Sequence, residues 1–270
     1  PISILSVVSN NHEAEINILK ARKKLEEFVK QASASETKVT VITTIDFNKA
    51  SGISRISREI MADIIVLGWP KHSGLLDKLV GEKVDSILNN TYKTTFICNI
   101  EKPLVLHKRI AIVAPPLAEH ENGFDLWFTK MAKLAQELSI PILLCCNETT
   151  QNYANKLAKK SRLTALIVFY SFEDWGDFFT ISKAIKINDL FVLVCARKGA
   201  ASYMNMFENL PSKLEKHFDK NSKIIIYPQQ FSQRYSNERY NNITPEPLSK
   251  GIETIQKIGR GIVNLLKNDD

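Results

Sequence analysis

The sequence predicts an α/β fold in which the strands of each sheet run parallel. Short apolar, β-branched runs of strand length alternate along the chain with segments that carry apolar residues at helical spacing. The alternation occurs twice, with a seam near Pro103. Parallel neighbours cannot be joined by a tight turn and need a crossover, so this pattern indicates parallel sheets flanked by helices.

The first cycle contains four predicted strands and three predicted helices. The helix over Glu13–Lys30 is expected to bury a stripe formed by Ile16, Leu19, Leu25 and Phe28. The strands are Ile2–Val8, Val39–Ile45, Ile64–Leu67 and Thr94–Asn99, and the other helices are Ala50–Met61 and Leu75–Leu88.

The second cycle contains five predicted strands, one more than the first. They are Ile110–Val113, Ile142–Cys146, Ala165–Tyr170, Leu190–Cys195 and Lys223–Tyr227. Its helices are predicted over Gly123–Leu138, Thr149–Lys160, Thr180–Ile187 and Pro211–His217, followed by a surface loop over Gln229–Pro247 and a last helix over Thr254–Leu266. This duplication predicts two similar domains, residues 1–103 and 104–270. Alignment by their last strands leaves the first domain without an initial strand and helix.

Composition excludes several classes of protein. The 270 residues are 44% hydrophobic and 24% charged, which is typical of a globular chain. No apolar run approaches the roughly 18 to 20 residues that a membrane span needs. The net charge of +7 is spread along the chain, and its densest basic runs lie on helical patterns. We interpret them as solvated helix faces and expect no nucleic-acid partner.

The cysteines indicate a reducing compartment. Cys98, Cys145, Cys146 and Cys195 all fall within or at the end of apolar strand runs, and none belongs to a Cys-x-x-Cys pair. The adjacent Cys145 and Cys146 point to opposite faces of a strand and cannot easily bridge. We interpret all four as small buried hydrophobic residues.

Several motifs resemble those of one protein family. Residues 62–68, Ala-Asp-Ile-Ile-Val-Leu-Gly, followed by Gly74 and Gly81, resemble the fourth strand and following loop of universal stress protein domains. More specific matches, strongest in the second half, resemble the cytosolic C-terminal tandem stress-protein-like region of bacterial sodium/proton (monovalent cation/proton) antiporters. These matches are Asp46–Gly52, Ile112–Glu119 with Gly123-Phe124, Ala196–Gly199 with Ser202-Tyr203, Phe207–Ser212 and Ile226–Phe231.

The resemblance implies two tandem flavodoxin-like (universal stress protein-like) domains with parallel sheets, the first lacking its initial strand and helix. In that strand order the missing strand is central, so its absence would expose two strand edges. We expect strand Ile2–Val8 to pair directly with strand Ile64–Leu67, unless a neighbouring chain fills the gap.

Nucleotide-binding members of the resembled family carry a Gly-x-x-Gly loop with a later Gly-Ser or Gly-Thr, whose backbone N–H groups hold phosphates. In the first half, Gly68 and Gly81 fall on motif positions, whereas Lys71 replaces the second glycine and Glu82 the final hydroxyl residue. Lys71 would attract a phosphate and Glu82 would repel it. The candidate nucleotide- or anion-binding residues of the first half are Gly68, Lys71, Gly74 and Gly81. The alternative is a degenerate loop that is kept for packing.

In the second half, the corresponding loop carries Arg197, Lys198, Gly199 and Ser202, with Ser212 further along the chain. These residues are candidates to hold a nucleotide or another anion, and the alternative is an exposed basic loop. Nucleotide-binding relatives carry an aspartate at the end of the first strand, where this chain has Ala-Pro-Pro. The contact to the nucleoside is therefore expected to be missing.

No catalytic or metal-binding constellation is visible in the sequence. The five histidines lack zinc-ligand spacing, and neither a Gly-x-x-x-x-Gly-Lys-Ser/Thr loop nor a Gly-x-Ser-x-Gly elbow occurs.

We expect a non-enzymatic cytosolic regulatory domain of a membrane cation/proton (Na⁺/H⁺) antiporter, at the cytoplasmic face of the bacterial inner membrane. Its expected partners are the transport domain of the same polypeptide and a second copy in a homodimer. The alternative is a soluble universal stress protein that binds ATP or another adenine nucleotide as its cofactor, and an enzyme acting on nucleotide phosphates is the weaker rival.

Overall fold

The computed structural model describes residues 1–34, 37–69, 77–176, 178–208, 214 and 217–230, with the backbone alone for 77–83. Residues 1–230 form one compact unit. The helix expected over Thr254–Leu266, most of the Gln229–Pro247 loop and most of the Pro211–His217 helix lie outside the described residues. The expected domain boundary after residue 103 stays a prediction.

The described chain contains nine strands and five α-helices. The strands are β1 (Ile2–Ser9), β2 (Val39–Asp46), β3 (Ile64–Gly68), β4 (Thr94–Asn99), β5 (Arg109–Val113), β6 (Ile142–Cys146), β7 (Ile167–Ser171), β8 (Asp189–Val194) and β9 (Lys223–Tyr227). The helices are α1 (Ala14–Ser33), α2 (Lys49–Glu59), α3 (Asp77–Asn90), α4 (Phe124–Glu137) and α5 (Glu148–Lys160).

The helix starts follow local capping chemistry. Asn48 accepts a hydrogen bond from the backbone N–H of Ser51 at 2.8 Å and caps α2, and Asn147 accepts one from Thr150 at 2.9 Å and caps α5. Each bond satisfies one of the backbone donors that the first helical turn leaves free. The helix expected over Thr180–Ile187 is replaced by a short 3₁₀ turn over Phe178–Lys183, whose first residue, Phe178, stacks on Trp175.

Seven strands form one mostly parallel sheet in the order β3-β4-β9-β8-β5-β6-β7, which agrees with the predicted α/β class. Its one antiparallel pair is β4 with β9, so the two cycles of the chain meet through their last strands. Buried side chains cover both faces of this sheet. One layer contains the aromatic residues of α4, and the other contains the aromatic residues that follow β7.

The expected pairing of β1 with β3 is wrong for the described residues. Strand β1 pairs in parallel with β2 over its whole length, in a separate two-stranded sheet, and β3 pairs with β4. Helix α2 contacts β1, where Gly52 lies directly against the Val7 side chain, and α2 also packs against α3, which follows β3. The crossover through α2 therefore leads from β2 to β3 without making β1 and β3 neighbours.

The expected apolar stripe of α1 is also wrong for three of its four members. Leu25 is buried, but Ile16, Leu19 and Phe28 are exposed. The helix instead turns Ala14 and Leu25 towards the β1–β2 sheet, because one two-stranded sheet can cover only one narrow face of a helix.

Candidate functional site

The candidate site lies where the turn after β5 meets the loop after β8. These strands are parallel neighbours in the sheet, so their carboxyl ends lie side by side. The turn runs through a short 3₁₀ segment at Ala118–His120 and leads into α4. The loop carries the four candidate residues from Arg197 to Ser202. The carboxyl edge of a parallel sheet is where ligands of such folds bind, so this edge is the first place to look for a site.

Ser202 is held by a carboxylate of the chain itself. The Oε1 atom of Glu121 accepts a hydrogen bond from the backbone N–H of Ser202 at 2.9 Å and one from its hydroxyl at 2.7 Å. Glu121 is 7% exposed and Ser202 is 2% exposed, so both bonds are shielded from water. A backbone N–H with a neighbouring hydroxyl is the donor set expected of an anion-binding loop. In this structure the bound anion is the Glu121 carboxylate.

Arg197 is directed to backbone carbonyls. Its guanidinium donates hydrogen bonds to the carbonyl oxygens of Pro228 and of Lys93, the latter at 2.7 Å. Burial lowers the pKa of Arg197 to about 10, and the carboxylate of Glu121 acts in the opposite direction. Lys93 precedes β4 and Pro228 follows β9, so Arg197 joins the two cycles of the sheet at this edge.

The neighbouring residues of the loop lie outside this buried network. Lys198 forms an exposed ion pair with Glu208 at 2.9 Å, which raises the pKa of Lys198 and lowers that of Glu208. Gly199 has a φ of 84°, a left-handed conformation that glycine adopts without steric cost. This turn reverses the chain so that Ser202 reaches Glu121.

The turn after β5 is anchored at two points. Besides Glu121, Glu119 accepts a hydrogen bond from the Thr150 hydroxyl at 2.6 Å and so ties the turn to the start of α5. Leu117 has a φ of 65°, which is unusual for a residue with a branched side chain and is held here by the buried contacts that follow it. The turn is therefore hydrogen-bonded both to the start of α5 and to the loop after β8.

A close backbone approach completes the closure of this edge. A Cβ at Gly123 would clash with the backbone nitrogen of Gln229, which itself donates to the Thr94 hydroxyl at 3.0 Å. Only glycine fits at the start of α4 where this segment crosses it. The carboxyl edge of β5, β8 and β9 is thus packed with the chain's own groups.

The structure describes two of the four first-half candidates, Gly68 and Gly81. Gly68 ends β3, with no atom of the described residues within 4 Å of where its Cβ would lie, and Gly81 lies within α3. Lys71, Gly74 and the second-half candidate Ser212 lie outside the described residues. Of the nine candidates, the described structure therefore brings together Arg197, Lys198, Gly199 and Ser202, which share one loop.

Sequence reasoning missed the role of Glu121. Glu119, Glu121 and Asp125 are close together in the sequence near the start of a helix, where carboxylates are common, and Asp125 does lie in the first turn of α4. Glu121 and Ser202 are 81 residues apart, and no local pattern marks such a pair. The one signal that could have indicated the Glu121–Ser202 pair is that the carboxyl ends of β5 and β8 lie side by side.

Two further expectations concern metals and thiols. Cys145, Cys146 and Cys195 are buried as expected, Cys98 is partly buried, and burial raises the pKa of Cys145 and of Cys146 to about 12. Among the described residues, no group of three histidine, cysteine or acidic side chains could hold a metal ion. None of the described helices combines the length and the apolarity that crossing a bilayer requires.

Comparisons with known proteins relate the chain to others through its fold. No protein-family model and no curated protein sequence matches it. A universal stress protein from Archaeoglobus fulgidus superimposes with a TM-score of 0.56 at 15% identity, covering 85% of each chain. A putative universal stress protein from Pseudomonas aeruginosa gives a TM-score of 0.51 at 9% identity, covering 84% of this chain and 93% of the other.

A third similar structure is the cytoplasmic domain of a prokaryotic cation chloride cotransporter. Its TM-score is 0.53 at 14% identity, covering 83% of this chain and 84% of that domain. These three likenesses are too distant in sequence to transfer an activity. They show that the chain has a universal stress protein-like, mixed α/β fold with a mostly parallel sheet.

Proposed function

We propose that the chain is a non-enzymatic regulatory domain of a membrane cation/proton antiporter, in which two universal stress protein-like units are arranged in tandem. The observation that carries the proposal is the Glu121–Ser202 contact, in which a carboxylate of the chain binds the donors that could otherwise hold a phosphate. Because a carboxylate of the chain itself occupies this site, the domain is suited to packing against a partner protein rather than to catalysing a reaction on a bound substrate.

The likeness to a cotransporter's cytoplasmic domain supports the choice of partner. In this proposal the domain lies at the cytoplasmic face of the inner membrane, as a homodimer, and acts on the transport domain of the same polypeptide. Regulation of this kind requires that the domain favours one of two transporter states by differential affinity.

Transport measurements test the proposed partner. The gene that encodes the chain is expressed with and without the codons for residues 1–270 in a bacterial strain lacking its own sodium/proton antiporters, and Na⁺-driven proton movement is followed in everted vesicles. We expect removal of the region to change the cation or pH dependence of transport while transport itself persists. A gene product without transport activity, or unchanged dependence, contradicts the proposal.

Nucleotide titrations test the alternative, a soluble universal stress protein. Isothermal calorimetry with ATP, AMP and cyclic AMP is expected to give no saturable heat up to about 1 mM ligand, because a nucleotide would have to displace a buried carboxylate. Tight binding by the wild-type chain would favour the stress-protein alternative, and phosphate release above a buffer control would favour the enzyme.

A further inference from the structure

Strand β7 forms one edge of the seven-stranded sheet, and no described strand pairs with its outer side. It lies in the middle of the chain, within the uninterrupted described stretch 77–176. Leu166, Val168 and Tyr170 alternate along one face of this strand and are 67%, 48% and 47% exposed, whereas the neighbouring strand β6 is buried at every position. Large apolar side chains that are exposed side by side on an edge strand mark a surface for contact with another polypeptide.

The backbone of β7 shows which residues can pair with a further strand. The carbonyl oxygen of Leu166 and the N–H of Phe172 form hydrogen bonds to the backbone of β6, at 2.8 and 3.1 Å. Backbone groups alternate in direction along a strand, so the even-numbered residues face β6 and the odd-numbered ones face the opposite way. The N–H and C=O groups of Ile167, Phe169 and Ser171 are therefore directed to the open edge, beside the exposed apolar face.

A second copy of β7 fits this edge when the two strands run antiparallel about a twofold axis beside Val168. In that register Val168 lies opposite the same residue of the second copy, Leu166 lies opposite Tyr170, and Ile167 lies opposite Phe169. The last two, with their backbone groups directed outward, form the hydrogen-bonded pairs, and the others form the non-hydrogen-bonded pairs, whose side chains lie closer together. All of the exposed apolar side chains then meet on one face of the joined sheet, where such cross-strand pairs stabilise it.

The charges on either side of β7 favour the antiparallel orientation. Basic side chains precede the strand and acidic side chains follow it, and all of them are exposed: Lys159, Lys160 and Arg162 before, Glu173 and Asp174 after. A parallel arrangement would bring like charges together. The antiparallel arrangement brings the basic flank of each copy to the acidic flank of the other, and the register above places Arg162 opposite Asp174. Such complementary charges select the orientation and register of a contact.

We propose that the chain forms a twofold dimer through antiparallel pairing of β7 with β7 of a second copy, in the register centred on Val168. The contact is isologous, because the same surface is used on both copies, and it joins the two sheets into one. Main-chain hydrogen bonds across the open edges supply affinity, and the apolar pairs and flanking charges supply specificity. The inference rests on the proposed function only in its expectation of a homodimer, to which it assigns a surface.

Cysteine cross-linking of the full 270-residue chain tests the register. Val168→Cys places two thiols in a non-hydrogen-bonded pair whose Cα atoms lie about 4.5 Å apart, within the range that a disulfide spans. We expect mild oxidation to convert this variant into a covalent dimer on a non-reducing gel, above the background of the wild-type chain. The matched control is Tyr170→Cys, on the same strand and equally exposed, whose two copies lie about 13 Å apart and should not link. A mixture of Tyr170→Cys and Leu166→Cys chains should link, because these residues are opposite each other.

Sedimentation equilibrium between about 5 and 200 µM chain tests the dimer without cross-links. Val168→Lys is expected to weaken association at least about tenfold, because it places two like charges opposite each other. The control Val105→Lys changes a valine that is 75% exposed in the turn before β5 and should alter association by no more than about twofold. Arg162→Glu should also weaken association, and the double variant Arg162→Glu/Asp174→Lys should restore it.

Hydrogen exchange on the wild-type chain shows where the copies meet. Amide exchange in β7 is expected to slow as the chain concentration rises through the dimerisation range. A chain that stays monomeric up to about 200 µM, equal cross-linking of Val168→Cys and Tyr170→Cys, or slow exchange in β7 of a monomer overturns the proposal. A dimer that Val168→Lys leaves intact also overturns it, while the homodimer of the proposed function stands. Loss of the transport role would leave dimerisation through β7 unaffected.

Discussion

The contact between Glu121 and Ser202 makes a quantitative prediction about stability. Replacement of Glu121 by alanine removes the acceptor of two buried hydrogen bonds and leaves the backbone N–H of Ser202 without a partner. Hydrogen bonds to charged groups contribute about 1.5–3 kcal/mol each, and part of this is offset because the carboxylate no longer has to be buried. We expect Glu121→Ala to lower the free energy of unfolding by about 3 kcal/mol.

Partial changes at the same contact separate its components. Ser202→Ala removes the hydroxyl bond alone and is expected to cost about 1 kcal/mol, because the backbone bond remains. Glu121→Gln keeps one acceptor oxygen and should lie between Ser202→Ala and Glu121→Ala. The double variant Glu121→Ala/Ser202→Ala should cost little more than Glu121→Ala alone, because both changes remove the same hydroxyl bond.

Urea denaturation followed by circular dichroism measures these differences, and a thermal scan provides a second reading. For a unit of this size, about 3 kcal/mol corresponds to a fall in Tm of about 6–12 °C. The exposed acid Glu173 provides the control, since Glu173→Ala removes a carboxylate without a buried partner. A Glu121→Ala variant as stable as Glu173→Ala, or additive effects in the double variant, would refute the reasoning.

Three further predictions follow from other buried groups of the same sheet. Arg197→Ala should lower the free energy of unfolding by about 2–4 kcal/mol, because it removes hydrogen bonds to the carbonyl groups of Pro228 and Lys93, of which Lys93 keeps one from the Thr95 hydroxyl. Lys198→Ala should leave the urea midpoint unchanged. Asp189→Asn should cost about 3–5 kcal/mol, because Asp189 is buried in an ion pair with Arg109. Burial raises the pKa of Cys145 to about 12, so this thiol should react with iodoacetamide at pH 8 more than about 100-fold more slowly in the folded than in the unfolded chain.

Each of these predictions has a matched control. Asp63 precedes β3 as Asp189 begins β8, but Asp63 is exposed, so Asp63→Asn should leave stability unchanged. Equal losses for the two aspartates, or for Arg197 and Lys198, would contradict the assigned contacts. Rapid alkylation of Cys145 in the folded chain, read by mass spectrometry of the labelled peptides, would contradict its burial.

The raised pKa of the Cys145 thiol also contributes to a loss of stability at alkaline pH. A thiol that is neutral in the folded chain ionises near its ordinary pKa of 9.0 when the chain unfolds. Its contribution is therefore fully present below pH 9 and is lost as the pH rises towards 12. Cys145→Ala should flatten the fall of stability over this range, as measured by urea denaturation at each pH.

Local pattern was sufficient to predict most elements of the fold. The alternation of short β-branched runs with helical spacing predicted all nine described strands, because strand and helix periodicities are properties of neighbouring residues. The same pattern failed for α1, where two apolar stripes were possible. Burial chose the one containing Ala14 over the one containing Ile16 and Leu19.

The candidate site was predictable only as far as one loop. Arg197, Lys198, Gly199 and Ser202 are consecutive enough for the end of β8 to bring them together. The sequence could not assign their partners, since Glu121 and the carbonyl groups of Lys93 and Pro228 come from distant segments.

Residue order alone was enough to establish the α/β class, the strands and the loop from Arg197 to Ser202, because backbone geometry ties each to its near neighbours. Folding in three dimensions was needed to bring Glu121 to Ser202 and to separate β1 from β3. Both outcomes depend on which distant surfaces meet, and the free energy of burying those surfaces is a property of the packed chain rather than of any short stretch of it.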